Sequence, residues 1–270
     1  VDRLILHRRL KFPKERATTD AWPFPFKLHT LGRFSLLRDG KPVRFEGKAQ
    51  KKPLELLKLL VALGGREVAE SRIIDALWPE TEADQARQNL KATLHRLRKL
   101  IGNDVLLLNE GKLTLDPHQV WVDVWAFERL LNDSRDNLHT GHSQKAIDSG
   151  QRAVKLYQGA FLAADDQPFF LPLRERLRAR LLAQLGELAQ QLCKTEACDD
   201  CLALYRKGIE IDPLTESFHQ GLMRCYQCLQ QLSEALMTYE RCRKLLKSQL
   251  GIDPSPQTRA LEQEIRGALQ

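Results

Sequence analysis

Between Ser71 and Leu115 the chain carries a short apolar segment closed by Leu77-Trp78-Pro79, then a long basic segment ending Leu94-His95-Arg96-Leu97-Arg98-Lys99. Two apolar runs joined by Asn109-Glu110-Gly111-Lys112 follow. This order restricts the fold more than any other feature. In the basic segment, Ala86, Leu90, Leu94, Leu97 and Ile101 recur at three- and four-residue steps, which predicts one helix from Ala83 to Ile101 with a single apolar stripe. At about 100° per residue, Gln85, Gln88, Lys91, Ala92, His95 and Lys99 fall on the opposite side, flanked by Arg96 and Arg98. The cations of this helix are Arg87, Lys91, Arg96, Arg98 and Lys99, against the single acid Asp84. Such a face attracts polyphosphate. A solvated helix of some bundle has the same composition, so the neighbouring elements decide.

Upstream, Ser71 is the expected N-cap of a two-turn helix whose apolar face is Ile73, Ile74, Leu77 and Trp78, and Pro79 ends it. Downstream, Val105 to Leu108 and Leu113 to Leu115 read as a hairpin turning at Gly111, with Lys112 at its tip. By itself Lys112 is an ordinary exposed charge; in this context it is placed for a phosphate. Two helices followed by a hairpin are the order of a winged helix-turn-helix, which implies binding to double-stranded DNA. Gln and Asn side chains read adenine edges, Arg and Lys read guanine, and a small Ala92 permits close approach to the groove floor.

Ahead of these elements, Leu28 to Leu31, Phe34 to Leu37 and Val43 to Phe45 alternate in polarity and are punctuated by Gly32 and Asp39-Gly40-Lys41-Pro42, which predicts three short antiparallel strands. A helix from about Pro53 to Leu63 follows, stopped by Gly64-Gly65. With these pieces the region resembles the OmpR/PhoB type of DNA-binding domain. Leu31-Gly32-Arg33-Phe34, Leu77-Trp78-Pro79 and Leu94-His95-Arg96-Leu97-Arg98 resemble the version found in SARP-like bacterial activators. The resemblance implies that the basic helix enters the major groove and places base- or phosphate-contacting slots at Gln88, Asn89, Lys91, Thr93, His95, Arg96 and Arg98. The helical wheel sets Asn89 and Thr93 nearer the apolar side. It supports Lys91, His95 and Arg96, and adds Lys99; of the pair His95 and Arg96, the planar guanidinium is the better bidentate donor.

The second half repeats. A shift of 34 residues superposes Leu188 on Leu222, Cys201 on Ala235, Tyr205 on Tyr239 and Gly208 on Cys242. That period is the tetratricopeptide one, in which small residues let paired helices approach and a tyrosine fills the gap beside them. A less regular pair is expected around Ala146 to Leu162 and Arg174 to Leu192. Leu156-Tyr157-Gln158-Gly159 with Phe161-Leu162, Arg174-Glu175-Arg176-Leu177, Ile211-Asp212-Pro213 and Leu250 to Pro256 resemble the bacterial transcriptional activator domain that follows the winged helix in SARP-like proteins. Phe169-Phe170 stands where many relatives have a tryptophan.

The expected architecture is therefore mainly α: a winged helix-turn-helix (small antiparallel sheet, three helices, wing hairpin) followed by a tetratricopeptide-like helical-repeat domain. Residues 1–25 are read as a linker or the end of an upstream region, 26–131 as the DNA-binding domain and 132–270 as the activator domain. Trp121, Trp125 and Phe127 are expected to pack the two domains together, with a helix to about Leu131 and a polar loop from Asn132 to Ser143. The formal charge of +7 is uneven: residues 1–131 hold 24 Lys and Arg against 17 Asp and Glu, while residues 132–270 hold 18 of each. The excess sits on the DNA-binding side. No apolar run of membrane-spanning length and no signal peptide is visible, so a cytoplasmic protein with no membrane partner is expected.

All six cysteines lie in the repeat half. Cys198-x-x-Cys201 and Cys225-x-x-Cys228 approach a four-thiolate zinc pattern. Against that, the pairs fall at a helix start and inside a helix, and Cys201 occupies a small-residue slot, so these residues are expected to pack as small hydrophobes with no metal or cofactor. No phosphate-binding loop, dinucleotide fingerprint, zinc-protease motif or nucleophile elbow is present, so no enzyme is expected. The sequence points to a transcription regulator recruiting RNA polymerase, or a second copy of itself, to promoter DNA. The competing class is a helical-repeat adaptor whose winged helix docks protein.

Overall fold

The computed structural model describes residues 24–45, 50–193 and 198–268. The expected N-terminal linker lies outside them except for Phe24 and Pro25. The chain divides into two compact units, one formed by the residues up to Leu130 with Arg152–Leu177, the other by Leu131–Gln151 and Arg178–Gln270. Elements run β1 (Phe26–His29), β2 (Ser35–Arg38), β3 (Lys41–Pro42), α1 (Lys51–Ala62), β4 (Val68–Ala69), α2 (Glu70–Leu77), α3 (Ala83–Ile101), β5 (Leu106–Asn109), β6 (Lys112–Leu115) and β7 (Val120–Val122). Helices α4 (Asp123–His139), α5 (Ser143–Leu156), α6 (Leu171–Cys193), α7 (Cys198–Ile211), α8 (Glu216–Cys228), α9 (Leu232–Leu250) and α10 (Pro256–Gly267) complete the described chain. No helix among the described residues is long and apolar enough to cross a membrane.

The first sheet has the order β3-β2-β1-β7. The three expected antiparallel strands are present, but the sheet is mixed, because β7 pairs parallel to β1 with Phe26 opposite Val120 and Leu28 opposite Val122. The run Val120-Trp121-Val122, two β-branched residues around an aromatic, is a buried strand, and the expected helix to Leu131 begins only after it, at Asp123. The second sheet, β4-β6-β5, adds Val68–Ala69 beside the expected hairpin.

Asp123 joins β7 to α4. Its buried carboxylate accepts from Thr30 N at 2.6 Å, Thr30 Oγ1 at 2.6 Å and Leu31 N at 2.8 Å, fastening the chain after β1 to the start of the helix. Helix α4 runs through residues 132–139, which corrects the expected loop. Nothing in Asn132 to His139 breaks a helix, Ser134 turns inward to donate to the Ala146 carbonyl, and the first left-handed residue is Gly141 at φ +77.

The segment Arg152–Leu177 is part of the first unit through backbone contacts. Gly32 N donates to Ala160 O at 3.0 Å, Leu162 N to Thr30 O at 2.7 Å, and Leu31 bridges Phe161. A Cβ on Gly32, at φ +96, would stand 3.3 Å from the Gln158 backbone, so the motifs Leu31-Gly32 and Gln158-Gly159 are two sides of one contact. Arg174 donates to the carbonyls of Phe161, Leu162 and Asp165. Lys58 reaches the Asp165 carboxylate at 3.0 Å while lying over the Phe34 ring at 4.6 Å. Trp121 packs with Phe24, Ala126 and Leu156, Phe127 faces Tyr157, and Trp125 covers Gly65, where a Cβ would lie 2.2 Å from the indole. Each of these aromatic contacts lies inside the first unit.

In the second unit, α8 and α9 form the expected second helix pair, α7 packs on α8, and α10 packs on α9. Gly221 meets the Tyr205 ring and Gly208 the Phe218 ring, each with no room for a Cβ. Gly251 ends α9 in the left-handed region, and Ser255 caps α10 with Pro256 in its first turn. Two carboxylates brace the turns. Asp212 accepts from Thr215 Oγ1 and Arg178, each at 2.7 Å, and Glu216 accepts from Ser255 N, Ser255 Oγ and Thr258 Oγ1. Burial pushes both carboxyls up, but the hydrogen bonds from Thr215 and Arg178, and from Thr258 and Ser255, outweigh it and hold them below their usual values. A carboxyl lowered by folding contributes stability that is complete above its unfolded pKa and is lost as pH falls through the folded value. Unfolding of this unit is therefore expected to shift to lower denaturant as pH falls below about 4 to 4.5. Chemical denaturation of Asp212→Asn with Glu216→Gln checks this, because the pair should show a flatter acid limb than the parent.

Candidate nucleic-acid interface

Helix α3 has the limits its periodicity predicts, and Ala86, Leu90, Leu94, Leu97 and Ile101 are all buried. They pack the helix against α1 and α2. Gly102 at φ +90 closes α3, and its N–H returns to the Arg98 carbonyl. Before it, α2 begins at Glu70 with Ala69 as N-cap, so Ser71 lies in the first turn and is not the cap. The Glu70 N–H bonds to Gly111 O at 2.9 Å, tying the start of α2 to the hairpin tip.

Gln85, Arg87, Gln88, Lys91, Ala92, His95, Arg96 and Lys99 are exposed along α3. Lys91, Arg96 and Lys99 make no ion pair with another described residue, so their charge is presented to solvent together with the ring nitrogens of His95. Arg87 stands 3.8 Å from Asp84, an exposed pair of little strength. Half-buried Asn89 accepts at its side chain from Gln85 Nε2 at 3.2 Å. Thr93 is corrected: it is 4 % exposed and its hydroxyl donates to the Asn89 carbonyl at 2.7 Å. The apolar stripe absorbs it, as the helical wheel required and the family slot did not. Arg98 is half-buried and its guanidinium meets Leu106 O at 3.4 Å, linking α3 to the hairpin.

The hairpin β5–β6 turns through Glu110 at φ +46 and Gly111 at φ +70, a two-residue turn with both centres left-handed. This matches the right-handed twist of the strands and holds exposed Lys112 beside the tip. Leu107 and Leu108, 48 % and 45 % exposed, add apolar surface to β5 that sequence reading did not single out. Their signal was three consecutive leucines in an edge strand with only one covered face.

Residues 122–266 match the family described as bacterial transcriptional activator domain, more than half of the chain. The chain belongs to that family. The family span opens at Val122, so it includes Asp123, the Gln158-Gly159 turn and Arg174, whose partners lie in the winged-helix unit. Regulatory protein AfsR of Streptomyces griseus is 28 % identical over 267 residues, covering 95 % of this chain and 26 % of that protein. Transcriptional regulatory protein EmbR of Mycobacterium tuberculosis is 26 % identical over 248 residues, covering 87 % and 62 %. The chain thus spans about a quarter of AfsR and under two thirds of EmbR. A solved structure of Mycobacterium tuberculosis EmbR with a low affinity phosphopeptide superposes with a TM-score of 0.67 at 23 % identity, covering 91 % of this chain and 65 % of that one. The shared fold is a winged helix followed by helical repeats.

Proposed function

We propose that the chain binds double-stranded promoter DNA sequence-specifically and activates transcription as the output part of a longer cytoplasmic regulator. The observation that carries this reading is the exposed face of α3, where Lys91, His95, Arg96 and Lys99 project together, with Lys112 on the adjoining hairpin. In this reading α3 enters the major groove, Arg96 and Lys91 contact base edges or phosphates, and Gln88 and His95 donate or accept at base edges. Asn89 contributes from the margin of the face, and Arg98 positions the hairpin so that Lys112 meets the backbone. The helical repeats recruit RNA polymerase or a second copy of the regulator. No covalent chemistry is involved.

The exposed pair Leu107 and Leu108 favours the second reading, an adaptor whose winged helix docks protein. Salt separates the two. For a DNA reader, log affinity for duplex should fall linearly with log salt, at a slope of about −0.9 for each phosphate neutralised. Selection of bound duplexes from a random pool, followed by titration of the enriched site across ionic strength, measures both. Enrichment of no sequence, together with no duplex binding at low salt, would favour the adaptor.

A further inference from the structure

Three helices of the second unit converge on three thiols. The Sγ atoms of Cys193 at the end of α6, Cys201 on α7 and Cys225 on α8 all lie within 4.8 Å of one another. Cys193 and Cys201 are 3.0 Å apart, and Cys193 and Cys225 3.8 Å. Thiolates about 2.3 Å from a tetrahedral zinc ion stand roughly 3.8 Å from each other, so these sulfurs already outline one face of such a site. We infer that Cys193, Cys201 and Cys225 together bind a single zinc ion as thiolates.

The donor set selects the ligand. Three sulfurs with no imidazole or carboxylate among them favour a soft or borderline cation over magnesium or calcium. A disulfide would use two of the three and leave the convergence of the third without a purpose. Packing as a small hydrophobe accounts for buried Cys201 in its repeat slot, but not for exposed Cys193 meeting it from another helix. Beside the thiols lies a cavity of about 390 Å³ lined in part by Arg224, Tyr205 and Cys228. The Arg224 guanidinium there offsets the net negative charge of three thiolates around a divalent ion. Cys228, three residues beyond Cys225, shares its helix face and opens on the same cavity, where the fourth coordination position lies. On binding, three S–H protons pass to solvent as three S–Zn bonds form, and no electron is transferred.

Of the four positions suggested by spacing, Cys201 and Cys225 belong to the set that converges among the described residues. Cys198 opens α7 with its side chain outside the described atoms, and Cys193, which belongs to neither C-x-x-C pair, takes part.

The test is zinc uptake by the full chain, purified under reducing conditions, stripped with a chelator and titrated with zinc alone. One equivalent is expected, and cobalt in its place should give a near-ultraviolet thiolate charge-transfer band. Both should be lost in Cys193→Ser, whose exposed position keeps the fold, as circular dichroism would verify. Both should persist in Cys242→Ala, outside the cluster. Absence of stoichiometric uptake in the parent overturns the site, as does uptake unchanged by Cys193→Ser. So does a Cys193–Cys201 disulfide detected by mass spectrometry in reduced protein that takes up no zinc.

Discussion

Replacing Arg96 and Lys91 together by alanine is expected to weaken duplex binding roughly a hundredfold or more, the largest functional effect available to two side chains on this surface. Arg96 is exposed on α3 and has a planar, permanently charged donor set, so its loss should cost about 1 to 3 kcal/mol if it forms a bidentate contact. Lys91, one turn before His95 on the exposed side of α3, should contribute mainly through phosphate, and its removal should reduce the salt slope by about 1. Thr93→Val is the internal control. Its hydroxyl is buried against the Asn89 carbonyl, so the variant should lose some stability while its duplex affinity changes by less than about threefold. Fluorescence anisotropy on the selected duplex reads all three. If Thr93→Val and the Arg96–Lys91 pair were equally impaired, or both unimpaired, the proposed orientation of α3 would be wrong.

Asp123→Ala is expected to destabilise the winged-helix unit by roughly 3 to 5 kcal/mol, a large share of the about 5 to 15 kcal/mol that holds a domain folded. The carboxylate accepts from Thr30 N, Thr30 Oγ1 and Leu31 N, and at 2.7 Å from Val124 N at the first turn of α4. Alanine leaves these buried donors without their acceptor, each at a cost of about 1 to 3 kcal/mol that partial relaxation reduces. Asn keeps one acceptor oxygen of similar shape and should fall between the two. Urea denaturation followed by tryptophan fluorescence suits the measurement because Trp121 and Trp125 flank the site. A loss below about 1 kcal/mol in Asp123→Ala would show that water replaces the carboxylate and that the joint is not a structural anchor.

Much of the site was legible before any coordinates. The limits of α3, its buried stripe and its exposed basic face follow from a helical period that nothing in the segment contradicts. Asn109-Glu110-Gly111-Lys112 announces its own turn. Thr93 shows where resemblance and physics part: a slot carried over by position could not override the angle at which that residue leaves the helix. The repeat signal was local as well, because Tyr205 and Gly208 occupy places that a tetratricopeptide period assigns to a large and a small residue.

Other features were hidden for a common reason. Val120-Trp121-Val122 is too short to declare itself a strand, and becomes one only because β1 offers a parallel edge. The polar residues of 132–139 look like a loop until one of them, Ser134, finds a buried partner on α5. The motifs Leu31-Gly32 and Gln158-Gly159 stand more than a hundred residues apart and meet backbone to backbone in one unit. Periodicity, caps and turns act over a few residues, so the sequence by itself determined the helices, the hairpin and the charged face of α3. Which distant segments share a core, and which three of the described cysteines face one another, depends on contacts between residues far apart in the chain, and only the tertiary structure decided them.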